Sequence, residues 1–380
     1  MSGLVVVGAG PVGLTAGLAA LSRGTPVTVL EAEPSTRVRP GSRAIFVHQA
    51  SLRTFERLRP GLGRQLAADG LVWSTRRTLW AGRQVYARTY GRRPAADLPP
   101  FTSLPQTLLE ERLRRAYEEA GGRIVWNTPV TGVDPGPDGV RVRTADGGGT
   151  DASHVVAADG ARSAVRRSLG IPLAGTTSGS DFVVVDVADA AHPLPPERVF
   201  HYRHPGVGGR NVLLVPFRGG WRVDLQCADE EEAADFAGDP DGWLADVLPG
   251  HEVTWVSRYR FHQRVAERLV DGRHRVLLAG EAAHLFPPFG ARGMNSGIAD
   301  AVAAVDAVAD GDVGRYDRER RAAAWQNCRA AGAACAHLLA RGRRDRLRQR
   351  GAALLAPFWE PAGRWLDSAP FGPPLRKVRY

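Results

Sequence analysis

Leu4-Val-Val-Val-Gly8-Ala-Gly10-Pro-Val-Gly13 decides the reading of this 380-residue chain. Four apolar residues in a row are what a strand buried on both faces of a parallel sheet requires, and Leu14 to Leu21, rich in alanine and leucine, continues as a helix. Between them Gly8 permits a sharp turn, Gly10 lets a pyrophosphate approach the backbone, and Gly13 lets the helix pack on the strand, with Pro11 and Val12 at the helix start. Phosphates would rest on the free N–H groups and the positive dipole end of that helix. A second strand, Pro26 to Leu30, ends at Glu31-Ala32, and the Glu31 carboxylate stands where ribose hydroxyls are held. A glycine turn before any helix would share the glycines, but strand, helix and acid together specify a dinucleotide.

Such a fingerprint serves NAD as readily as FAD, so two later segments decide. His154-Val-Val-Ala-Ala-Asp159-Gly160-Ala-Arg162-Ser163 is a strand entering a tight turn and then a short basic helix. Arg275-Val-Leu-Leu-Ala-Gly280-Glu281-Ala-Ala-His284 is a buried strand followed by an acid, and Pro287-Pro288-Phe-Gly290-Ala-Arg292-Gly293-Met294-Asn295 opens a helix that continues to Val308. On these residues the chain resembles the para-hydroxybenzoate hydroxylase-like, single-component (group A) FAD-dependent monooxygenases, also called aromatic ring hydroxylases, over roughly residues 3 to 345.

The resemblance implies an α/β fold: a Rossmann-like FAD-binding domain of the glutathione reductase type, an interleaved α+β substrate domain and a long C-terminal helix. It implies that Asp159, Gly160 and Arg162 lie beside FAD and the path of NAD(P)H. Gly280 and Glu281 fall at the ribityl chain, and Pro288, Gly290, Gly293, Met294 and Asn295 at the flavin ring. Arg43, within Gly41-Ser-Arg-Ala-Ile-Phe-Val-His48, matches a pyrophosphate-contacting arginine, and that segment fits the third strand. Gln106, which leads the helix of Leu104 to Leu113, meets the flavin side. The sequence departs from the family pattern where Glu281 replaces the commoner aspartate and Ala291-Arg292 replaces Gly-Gln. Glutamate can accept the same hydrogen bonds from one methylene further away.

The chemistry implied is reduction of FAD by NAD(P)H, capture of O2 as a flavin C4a-hydroperoxide, and hydroxylation of an electron-rich phenolic or polyketide-like ring. A helix start aimed at the flavin pyrimidine would stabilise the negative charge of the reduced ring. Pro288 is expected to shape the wall near C4a, and Arg292 to place a fixed charge by flavin or substrate. Chemistry alone adds His48, His201, Tyr202 and Gln226 as catalytic candidates. By strand alternation Arg222, Asp224 and Gln226 oppose Trp221, Val223, Leu225 and Cys227, and which face meets the pocket stays open. His284 is expected to pack beneath the flavin.

Reduction of double bonds, Baeyer–Villiger insertion and epoxidation use related flavin chemistry and stay open as alternatives. So do a non-catalytic escort of the same fold and a flavin-free dehydrogenase. A halogenase is disfavoured, because it needs a catalytic lysine and a Trp-x-Trp-x-Ile-Pro motif, whereas the one lysine, Lys377, lies in the tail.

With 43% hydrophobic residues the chain can bury a sizeable core. The expected FAD-binding segments are 1–75, 99–176 and 268–345, with Val130 to Ala158 as an antiparallel meander. Residues 76–98 and 177–267 form the expected substrate sheet, with Gly206 to Gly209 as a hairpin loop, and 346–380 are a tail with no room for a thioredoxin-like domain. A long helix is expected from Tyr316 to about Arg350. No run approaches the roughly 20 apolar residues that cross a bilayer, and the first strand begins at once, so a cytoplasmic monomer or homodimer is expected, without membrane partners. Three scattered cysteines suit neither a disulfide framework nor a metal site. The formal charge of +10 is carried by arginines spread among 40 acids, which points to no nucleic-acid stripe. The densest run, Arg341 to Arg350, reads as the solvated end of a helix.

Overall fold

Leu4–Val7 becomes the centre of a parallel sheet because all four of its side chains are buried, which only a strand covered on both faces allows. The computed structural model describes residues 3–91, 97–191 and 194–373. The expected segments that touch residues 1–2, 92–96 and 374–380, Lys377 included, extend outside the described residues. The sheet order is Val276–Leu278, His154–Ala157, Leu4–Val7, Val27–Leu30 and Arg123–Val125. The expected third strand is thus corrected. Phe46–His48 pairs only with Phe101–Ser103, antiparallel, and the place next to Val27–Leu30 belongs to Arg123–Val125. Val130–Pro135, Val140–Thr144 and Gly149–Ala152 form the antiparallel meander, while His154–Ala157 leaves it for the parallel sheet.

Helix Pro11–Ser22 and the late helix, Arg292–Ala309, cover one another at close range. A Cβ on Gly297 would sit 2.6 Å from a Val12 methyl, so a small residue there is a packing requirement. Gly8 has φ of +100°, and a Cβ on it would meet the Ala158 carbonyl at 2.5 Å. The turn therefore needs glycine twice over, for conformation and for the approach of a neighbouring strand.

A second sheet of eight strands runs His284–Leu285, Val253–Ala266, Leu173–Ala188, Gly220–Gln226, Arg210–Phe217, Arg198–His204, Thr75–Trp80 and Arg83–Thr89. Alternation gives it two unlike faces. Val183, Val185, Trp221, Val223, Leu225 and Cys227 pack against helices Glu230–Gly238 and Pro240–Val247 through Ala233, Trp243, Leu244 and Val247. The other face carries Asp186, Arg222, Asp224 and Gln226 towards the dinucleotide-binding body. Gly206 to Gly209 joins two antiparallel strands, as a hairpin loop does.

The long C-terminal helix, Val313–Leu339, ends before Arg350. Ala340 turns left-handed at φ 38° and Gly342 starts a separate helix, Arg343–Leu355. The break lets Glu360–Ser368 and the turn Ala369–Phe371 fold back along the body. Cys227, Cys328 and Cys335 are buried and form no disulfide.

A Cβ on Gly13 would lie 1.8 Å from the Gly8 carbonyl oxygen, with backbone on both sides of the contact. Gly13→Ala is therefore expected to cost about 3 kcal/mol and to lower the thermal midpoint by several degrees in a melting curve.

Candidate active site

Three loops at the C-terminal ends of the parallel strands meet in one cleft. Glu31 closes the first loop from behind: it accepts from Ala9 N at 2.6 Å and Glu33 N at 3.1 Å, and pairs with Arg37 at 2.8 Å. Burial alone would raise its pKa, but those hydrogen bonds and the Arg37 charge hold it below the usual value. Ala32 beside it is exposed. In the second loop Asp159 accepts from Val165 N through one oxygen at 3.1 Å, while its buried Oδ1 has no protein partner. Arg162 is exposed, and Arg166 is the arginine that joins loops, donating to Ala282 O at 3.0 Å and Ala161 O at 3.2 Å.

The third loop rests on a buried charge network. Asp300 accepts from Gly280 N at 3.2 Å, binds His284 Nε2 at 2.7 Å and takes Arg320 Nε at 2.7 Å. Despite burial, Arg320 and His284 hold the Asp300 carboxyl below its ordinary value. Phe286 lies flat on His284, centroids 4.3 Å apart. Above this network Glu281 is exposed to solvent, yet protein surrounds it closely enough to raise its pKa against the lowering pull of His284 and Arg43. Such a side chain stands in a deep open cleft.

Arg43 reaches the same cleft from the loop Gly41 to Ala44, at φ 52°. Its buried Nε has no protein partner. Gln106 holds that loop in place: its amide donates to Glu110 at 2.8 Å, and its oxygen accepts from Ala44 N at 3.4 Å. The loop is also pinned to the large sheet. Ser42 donates to Asp186 through N at 2.5 Å and through Oγ at 2.7 Å, and Arg222 donates to the Arg43 carbonyl. Arg222 is itself paired with Asp224 at 2.7 Å. The face left open by alternation is therefore the one with Arg222, Asp224 and Gln226. Gln226 accepts from Asn211 at 2.8 Å on that face.

The late helix starts at Arg292 without a side-chain cap, after left-handed Ala291. Pro288, exposed, accepts from Ala291 N at 2.9 Å in the turn before it, and Gly290 adopts φ 76°. Asn295 is consumed by the protein: it donates to Phe46 O at 2.9 Å and Ala291 O at 2.7 Å and accepts from His48 N at 3.0 Å and Ser51 Oγ at 2.7 Å. Its role is to tie strand Phe46–His48 to the helix start. Met294 packs against the main core.

Several catalytic candidates stand elsewhere than expected. His201 points to the far face of the sheet, beside His204 at 4.6 Å, where Val199 joins the apolar cluster. Tyr202 is buried under the C-terminal helices, bonded to His337 Nε2 and Leu366 O, both at 2.8 Å. Arg292 turns away from the cleft and donates to Asn327 at 3.2 Å, Phe371 O at 3.2 Å and Pro373 O at 3.1 Å. Of the two catalytic histidine candidates, His48 and His201, it is His48 that adjoins the late helix, through Asn295. Burial and the Arg292 charge push its pKa down to about 4, against a hydrogen bond with the Gly290 backbone. Around it and the preceding turn stand aromatic rings: Phe46 stacked on Phe101 at 4.4 Å, and Phe289 at 5.8 Å from Phe182 and 5.5 Å from Phe261.

The cleft fits a flavin dinucleotide. A Cβ on Gly10 or Gly293 would meet nothing within 4 Å, so both backbones border open space. Neither facing helix start has a side-chain cap, and Arg43 Nε and Asp159 Oδ1 aim unpaired polar atoms nearby. The geometry defines a dinucleotide-binding protein with a covering sheet. Its sequence matches the FAD binding domain family over residues 2–334, and the chain belongs to that family. It is 32% identical to the 3-(3-hydroxy-phenyl)propionate/3-hydroxycinnamic acid hydroxylase of Mycobacterium avium (strain 104), over 84% of this chain and 58% of that one. It is 33% identical to the 6-methylpretetramide 4-monooxygenase of Streptomyces rimosus, over 78% and 54% respectively. The chain thus spans little more than half the length of these curated relatives. The crystal structure of p-nitrophenol 4-monooxygenase from Pseudomonas putida DLL-E4 superposes with a TM-score of 0.80 at 25% identity, covering 100% of this chain and 99% of that one.

Glu281→Ala is expected to weaken FAD binding about tenfold or more while His201→Ala leaves it unchanged, as titrated by flavin fluorescence. Because the folded pKa of Glu31 lies below its ordinary 4.5, its stabilisation is complete above that pH and is lost as pH falls through the folded value. Glu31→Gln is therefore expected to destabilise the protein near neutrality, with the difference from wild type shrinking in acid, as read by denaturant unfolding.

Proposed function

We propose that the protein is an FAD-dependent monooxygenase that uses NAD(P)H and O2 to hydroxylate a phenolic or polyketide-like aromatic small molecule. What supports this reading is the convergence of the three loops of one dinucleotide fold beside the polar face of the large sheet, with Phe182, Phe261 and Phe289 clustered at the turn before the late helix. The relatives' names, hydroxylases and monooxygenases of aromatic compounds, support the same reading.

Gly8, Gly10, Pro11, Val12 and Gly13 would hold the pyrophosphate, with Arg43 closing on it, Glu31 would hold the ribose, and Asp159 would lie beside FAD and the path of NAD(P)H. Gly280, Glu281, Gly290, Gly293 and Met294 would border the rest of the cofactor through backbone and carboxylate. When bound, FAD supplies hydride acceptance and oxygen activation. The protein's part is orientation and exclusion of water. Phe289, packed edge-on against Phe182 and Phe261, gives an aromatic ring an apolar wall. Backbone N–H groups at the late helix start present a fixed positive end that needs no reorganisation.

His48 is the group best placed to receive or share a substrate hydroxyl proton. With a pKa near 4 it is neutral over the ordinary working range and can accept at one nitrogen. On the polar face of the sheet Arg222 and Asp224 pair with one another and Gln226 accepts from Asn211, and these groups would fix polar substituents of a substrate that reaches that face. With one dinucleotide fold for FAD, NAD(P)H would bind transiently at the surface. A cytoplasmic location and a monomeric or homodimeric state complete the proposal. No helix of the described residues is long and apolar enough to cross a membrane.

Mass analysis of products formed under isotopically labelled dioxygen from a panel of phenols and polyketides tests the reading. One labelled hydroxyl per product is expected. A reduced product without label would assign a flavin reductase, and ring-expanded or epoxide products an alternative oxygenase. His48→Asn is expected to lower kcat/KM about ten- to hundredfold without moving the pH profile between about pH 5 and 8, since the native imidazole does not titrate there.

A further inference from the structure

Helix Arg343–Leu355 and the turn after it carry a surface that the proposed chemistry does not use. Nine large apolar side chains are exposed among the described residues, and five of them, Leu347, Leu354, Leu355, Phe358 and Trp359, fall within this one segment. Leu347 is 68% exposed, Leu354 67% and Phe358 90%. At 3.6 residues per turn, Leu347, Gly351, Leu354 and Phe358 line one stripe, continued past the helix because Phe358 N still bonds to Leu355 O at 2.9 Å. Gln349, Ala353 and Ala356, which are buried, lie on the opposite side. The apolar stripe therefore points straight out to solvent.

Arginines flank it on both sides. Arg343 and Arg350 lie along one edge and Arg344 along the other, all exposed, with Arg346 and Arg348 further round. Within residues 341–360 the only acids are Asp345 and Glu360, and Glu360 is paired with Arg364 at 2.7 Å. A second copy laid on this face would oppose arginines to arginines. RNA would engage the charges and leave the stripe wet. A Phe that is 90% exposed stands on a protrusion, which a flat, deformable surface accommodates better than a shaped protein groove.

We propose that the face formed by Arg343 to Trp359 rests on an anionic lipid surface. Leu347, Leu354 and Phe358 enter the acyl boundary, Trp359 lies at headgroup level, and the arginines reach sideways to lipid phosphates. The helix lies in the plane of the membrane and does not cross it. On this proposal the arginine run, exposed as a solvated helix end would be, also contacts lipid, and the enzyme sits where sparingly soluble aromatic compounds accumulate.

The test is co-sedimentation of the FAD-loaded full chain with vesicles of phosphatidylcholine alone and of phosphatidylcholine mixed with phosphatidylglycerol. Binding is expected to the mixed vesicles, weakening with added salt, and not to the neutral ones. The double variant Leu354→Ser, Phe358→Ser is expected to bind about tenfold less or weaker still, with unchanged flavin absorbance and melting temperature, because both side chains are exposed. Failure to bind mixed vesicles at low salt overturns the proposal. So does equal binding by the variant, which would reflect only the net charge, and so does equal binding to neutral vesicles. A concentration-dependent dimer in sizing experiments that the variant abolishes would assign the face to a second copy and overturn it as well.

Discussion

The contact on which the arrangement depends is the grip of Asp186 and Arg222 on the loop Gly41 to Ala44. It is a charged link between the covering sheet and the dinucleotide-binding body, beside that of Arg218 to Ala68 O and Gly70 O, and it lands on the loop that carries Arg43. Asp186 holds both the N–H and the hydroxyl of Ser42, and Arg222 holds the next carbonyl. Burial raises the Asp186 pKa, while Ser42 and Arg222 counter it. For Arg222, burial would lower the pKa, but Asp224, Asp186 and Tyr259 more than compensate. A buried ionic cluster of this kind adds little net stability over an apolar one, but breaking it leaves an unpaired charge at a cost of about 3 to 5 kcal/mol. Its contribution is positional: it fixes the sheet against the loop that carries Arg43.

A second buried cluster does the same for the far wall. Asp300 spends its oxygens on Gly280 N, His284 and Arg320, so the turn that presents Glu281 is fixed before any ligand arrives. Phe286 stacked on His284 extends that rigidity toward the turn at Pro288. Asn295, with four internal hydrogen bonds, locks His48 to the same helix start. The site is thus preorganised by side chains that need not touch the cofactor themselves, and each of them lies beneath a backbone group or carboxylate that would.

What the sequence made legible is what works through the backbone. Gly8, Gly10 and Gly13 were readable because a glycine at each place answers a steric demand that any dinucleotide fold makes. The uncapped helix at Arg292 was readable because its turn precedes an apolar helix of ordinary pattern. The side-chain constellation was not readable, since Ser42 and Asp186 are 144 residues apart and Arg222 and Arg43 are 179 apart. Alternation correctly separates Arg222 from Trp221, but only tertiary packing tells which side is covered by which helices. Phe46–His48 fits the third strand by sequence, because strand Arg123–Val125 is only three residues long and leaves almost no pattern. The helix expected to reach Arg350 breaks at Ala340, a residue that carries no breaking signal except Gly342 two places on.

Arg292 shows why a charged residue in a motif can mislead about function. The sequence placed a cation near the flavin, and its backbone is there, but its guanidinium is spent on Asn327 and on the carbonyls of Phe371 and Pro373. Phe371 is in turn held between Arg76 at 4.9 Å and Arg198 at 4.4 Å, on the strands of the covering sheet. The tail therefore joins strands Thr75–Trp80 and Arg198–His204 of the sheet to the start of the late helix. A mobile cation in the cleft would have to reorganise as charge develops, whereas N–H groups at the start of a rigid helix need not. Arg292 thus anchors the helix end, and its charge adds to burial in lowering the His48 pKa.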